Sequence, residues 1–235
     1  MLSRVRLAAR RAGVPGERVW LLEGALHTAM LPRVAGASPL PSESNPAFLH
    51  PGRTVLILLD DLAETDVGTL AVGALAESRD LRLRVGRGAV RELLLGSAWS
   101  EPSDEGGRSR RSGVEGAPRR GLDPRRPGGA WTPDAALELW DALPVLDWFG
   151  TGTPADGELR ERLASEAPAV LRLTLAEALD HLRHAHLWDS RAERVRAREL
   201  AEDVLAPLAP LAHPILERRL SWWTRRVGRN QRRFE

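Results

Sequence analysis

Three histidines crowd one short stretch, His181, His184 and His186, and imidazoles so close together could hold a transition-metal ion. On a helix the first two share a face while His186 points elsewhere, so the trio does not make one ligand set. A second stretch lies at the end of the chain, where Arg218, Arg219, Arg225, Arg226, Arg229, Arg232 and Arg233 surround Trp222 and Trp223. Guanidiniums at these intervals could track phosphates while the indoles stack on bases. The competing reading packs one tryptophan on the domain and leaves the arginines as a solvated face. His50, directly before Pro51, could cap a helix start or pack in a core.

Other chemistries are excluded. The chain has no cysteine, hence no disulfide, no thiolate metal ligand and no cysteine nucleophile. No Gly-x-Ser-x-Gly elbow, Gly-x-Gly-x-x-Gly turn or Walker loop occurs. Lysine is absent, so all 34 basic residues are arginine, which fits the coding bias of a GC-rich genome. Against 32 acids they leave a net charge of only +2, weak support for a nucleic-acid partner. No apolar run is long enough to span a membrane, and residues 1–12 do not read as a signal peptide, so the expected location is cytoplasmic.

The elements that must position these groups are helices. Residues 2–12 and 17–31 have apolar side chains at three- and four-residue spacing, with a break expected at Pro32. A proline-rich loop covers 35–47. Pro51 to Leu62 reads as a strongly apolar helix, preferred over a strand because Asp60-Asp61-Leu62 continues it, and Thr65-Asp66 then caps a helix running to Glu77. Val85-Gly86 opens another, through Leu95. From 97 to 131 the chain is Gly, Pro, Ser, Arg and acid, a flexible disordered insertion by composition. Thr132 and Pro133 restart helix, further helices fall near 155–166, 169–187 and 190–206, and Ser190 with Glu193 forms a capping box. A last helix, about 214–227, leads into a basic tail at 228–235. The 235 residues thus read as one all-α domain.

Three segments in order, His50-Pro51, Leu175-Ala-Glu-Ala-Leu-Asp-His-Leu-Arg183 and Leu205-Ala-Pro-Leu-Ala-Pro-Leu-Ala212, resemble the hydrolase half of the RelA/SpoT-type alarmone enzymes, within the HD phosphohydrolase superfamily. The resemblance covers roughly 20–95 and 170–222 and implies an HD-domain-like helical bundle. In that family two imidazoles and two carboxylates hold a divalent cation, usually manganese, whose Lewis acidity activates water and polarises phosphorus. By this resemblance the metal ligands are His50, Glu77 and Glu177. Ala76 stands where the second imidazole should be, and alanine has no lone pair. Asp80 is the candidate remnant of the acidic pair that assists the water. His27 and Arg33 echo an earlier box and are the candidate nucleotide contacts.

The cofactor expected is accordingly none, or a weakly bound divalent ion, manganese if the centre is active. The leading functional reading is a degenerate phosphohydrolase-like domain acting as a nucleotide-binding or regulatory module. The alternative is a divergent metal-dependent nucleotide pyrophosphate (ppGpp-like) phosphohydrolase. A third is an Arg-rich adaptor for nucleic acid or a protein partner.

Overall fold

A computed structural model describes residues 1–34, 49–76, 85–95, 132–146, 148, 156–188 and 190–232. The described residues are all-α, with no strand among them. In chain order the helices are α1 (Leu2–Arg11), α2 (Val19–Val34), α3 (His50–Leu56), α4 (Val67–Leu75), α5 (Arg87–Leu94), α6 (Pro133–Ala142), α7 (Asp156–Ser165), α8 (Pro168–His184), α9 (Arg191–Leu200), α10 (Ala206–Ala212) and α11 (Pro214–Arg232). The expected insertion at 97–131 lies outside the described residues, as do Glu77 and Asp80.

Local chemistry sets several starts as expected. Asp66 accepts the Thr69 amide at 2.8 Å, Thr132 accepts that of Ala135 ahead of Pro133, and Ser190 accepts that of Glu193, although the Glu193 carboxylate does not return the bond that the expected box requires. Each side-chain oxygen satisfies an amide that the first turn leaves without an internal acceptor. Three expectations need correction. The helix does not break at Pro32, because α2 continues to Val34, and a proline so near a C-terminus deprives the helix of only one late hydrogen bond. The last helix does not stop at 227: α11 runs to Arg232, taking up most of the expected tail. Finally, the 51–62 and 190–206 helices each widen into a π turn, Ile57–Asp61 and Ala201–Leu205. The second of these precedes Pro207 and Pro210, so the chain stays helical through both prolines and breaks only at His213.

Two helices are central. Every residue of α4 is buried, and so is every residue of α8 from Leu173 to Leu182. A helix apolar on all sides belongs inside the bundle, and α8 packs on α3, α4, α6, α7, α10 and α11. Gly73 lets α4 approach closely, since a Cβ there would collide with Leu58 and press on Leu173 at 3.2 Å. At the end of the first π turn Ala63 takes the left-handed conformation (φ 53°) and the Glu64 amide reaches back to the Leu58 carbonyl at 2.9 Å. This reversal ends the helix that carries His50 and aims the chain into α4.

Candidate metal centre

The buried interior of α8 contains three groups that its apolar surroundings would exclude unless they were paired: Glu177, Asp180 and His181. Their partners come from the start of α3. His50 is 2% exposed and makes no cap to its own helix. Its Nδ1 instead lies 2.7 Å from Asp180 Oδ2. Arg53, one turn further along α3, places Nε 2.9 Å from both oxygens of Asp180. The two elements meet across 130 positions of sequence.

On the other side of the His50 ring, Nε2 lies 3.7 Å from Glu177 Oε1, and that same oxygen lies 2.8 Å from His181 Nε2. His50, Glu177 and His181 can each offer one ligand atom, all within 4.8 Å of one another. Two imidazoles and a carboxylate make up the donor set of many catalytic zinc and iron sites, in which the remaining positions take water or substrate. Aromatic rings wall the group. The His50 and His181 rings are 4.1 Å apart, Trp148 lies 4.9 Å from His181, and Trp188 meets both His181 and Trp148 edge-on. Such a wall keeps water off the charges and strengthens their interactions.

The charges are matched within the site. Burial raises the Glu177 carboxyl, but the adjacent imidazoles of His181 and, less strongly, His50 outweigh it through their charge and bring the carboxyl from 4.5 to about 2. Burial likewise opposes ionisation of Asp180, and His50, Arg53 and His184 overcome it, again to about 2. An ionised Asp180 can only accept, so Nδ1 of His50 carries the proton. Its other nitrogen, Nε2, faces Glu177 and His181, where it offers a proton to the carboxylate or a lone pair to a cation. A carboxylate behind a histidine in this way is the usual outer support of a metal-ligating imidazole.

The structure thus brings together two of the three residues expected as metal ligands, His50 and Glu177, and the third, Glu77, lies outside the described residues. Ala76 is buried at the end of α4. The second imidazole comes instead from His181, which the histidine trio pointed to without its partner. The signal was the i, i+4 spacing of Glu177 and His181, which puts both on one helix face. His184 is half-buried, its Nδ1 2.8 Å from the Asp180 carbonyl, and burial holds its pKa below the usual value. His186 is exposed. Of the expected nucleotide contacts, His27 is exposed on α2 and does not join the cluster, and the Arg33 side chain lies outside the described residues.

At the other candidate stretch, Trp223 packs on the core and Trp222 is exposed, their rings edge-on at 4.7 Å. The Arg226 guanidinium sits 5.1 Å and 5.7 Å from the two ring centres, where it occupies stacking surface of the indoles. No helix among the described residues is long and apolar enough to cross a membrane. Comparisons with family models, with curated proteins and with solved structures find no match to this chain.

Proposed function

We propose that this chain is an HD-like helical domain holding a divalent cation at His50, Glu177 and His181, and that it acts as a divergent metal-dependent phosphohydrolase on a nucleotide pyrophosphate. The observation carrying this reading is the convergence of three buried ligand atoms within 4.8 Å, one of them backed by Asp180. With His181 supplying the second imidazole, Ala76 no longer counts against a metal. The ion would contribute Lewis acidity and a bound water of lowered pKa. The protein's own part is to fix His50 through Asp180 and Arg53, and to keep the carboxylate of Glu177 charged between two imidazoles.

A second reading, a nucleotide-binding or regulatory module without turnover, is favoured by depth: the side chains of His50, Glu177 and His181 are only 3%, 9% and 9% exposed. Elemental analysis of protein purified with added manganese, with a ppGpp and nucleotide hydrolysis screen on wild type and His50→Ala, separates the two. Stoichiometric metal with turnover dependent on His50 is the expected result. Metal without turnover leaves the regulatory module, and neither overturns the metal reading altogether.

A further inference from the structure

Next to the metal centre, on the far side of Arg53, α1, α3 with its π turn, α8 and α11 enclose a cleft of about 270 Å³. Its polar wall is Arg4, Arg53, Arg183, Arg219, Asp60 and Asp61. Four guanidiniums against two carboxylates leave a surplus of two positive charges in one concavity. The acids are already engaged. Arg219 grips Asp61 with two nitrogens, each at 2.6 Å, and Arg11 reaches Asp60 at 3.5 Å from outside. Arg53 is fixed by Asp180. The side chains of Arg4 and Arg183 make no hydrogen bond or close ion pair with any described residue, although Arg183 lies near enough to act on the Asp61 charge.

We infer that this cleft binds a small polyphosphate anion of the size of inorganic pyrophosphate. Guanidiniums drawn from four helices supply the planar, multidentate donors that phosphate oxygens accept. Two of them are held in place before any ligand arrives, which lowers the entropic cost of binding. A cleft of about 270 Å³ has room for a diphosphate, and its charged lining favours an anion over an apolar ligand. The π turn at Ile57–Asp61 forms one wall, and such turns cluster at functional sites. This inference does not rest on the metal reading.

The test is calorimetric titration of the full chain with inorganic pyrophosphate in chelator-treated buffer, so that an empty metal centre leaves the result intact. Sulfate serves as the anion control. Saturable one-to-one binding, at least tenfold weaker in Arg183→Gln and in Arg4→Gln and unchanged in Arg91→Gln on α5, is expected. Arg4 is exposed, so its replacement leaves the core untouched even if Arg183→Gln proves unstable. Absence of saturable binding, equal affinity for sulfate, or an equal loss in Arg91→Gln would each overturn the proposal, the last two by reducing it to general charge attraction.

Discussion

Glu177 and His181 stand one turn apart on α8 with Oε1 of the first 2.8 Å from Nε2 of the second, and both meet His50 from α3. Replacing His181 by Ala removes one of the three candidate ligands, whereas His184→Ala alters a neighbour outside the group, bonded to the Asp180 carbonyl. Metal content by elemental analysis should fall to background in His181→Ala and stay near the wild-type value in His184→Ala. Equal retention in both would place the ion elsewhere.

Asp180 acts on the site through His50. Asp180→Asn keeps every proposed ligand but weakens the support that fixes the Nδ1 proton, and it leaves Arg53 without its carboxylate. Metal affinity in a competition titration should drop by about 10–100-fold. Breaking a buried charge pair from one side also costs about 3–5 kcal/mol, to be read in urea unfolding of the metal-free protein.

Acid should unfold the protein through these two carboxylates. Both are held near 2 in the folded chain against 4.5 and 3.8 for Glu177 and Asp180 otherwise, so the unfolded chain binds more protons than the folded one in between. Stability therefore falls as pH drops from about 4.5 toward 2, and is fully present above that window. His184, whose pKa is lowered chiefly by burial, adds a smaller loss with the same sign below 6.5. Thermal melts of wild type and Glu177→Gln across pH 2–6 check this: a variant with an undiminished slope contradicts it.

Gly73→Ala tests the close packing of α4. The added methyl meets Leu58 and Leu173, so the helices must separate or side chains leave their rotamers. A loss of about 1–3 kcal/mol in chemical denaturation is expected. A gain from better helix propensity would mean that Leu58 yields without strain.

Sequence alone carried the helices with strong local signals: Asp66, Thr132 with Pro133, and Ser190 all cap as their residue types require. It missed the π turns and the passage through Pro32, where packing on neighbouring helices overrides local preference. For the site, His50 and Glu177 were readable by resemblance, and His181 was noticed beside the wrong neighbour. Asp180 and Arg53 were not singled out, because their pairing joins positions 127 apart and no local pattern encodes it.

That separation also has a temporal side. His50 and Asp180 are 130 residues apart, so at about 5–20 residues per second roughly 7 to 26 s pass on the ribosome between making the one and the other. From its own appearance until α8 follows, α4, buried on every face in the folded domain, lacks a helix that covers it. The candidate metal centre can assemble only once α8 has emerged, and any holding factor would be needed before then.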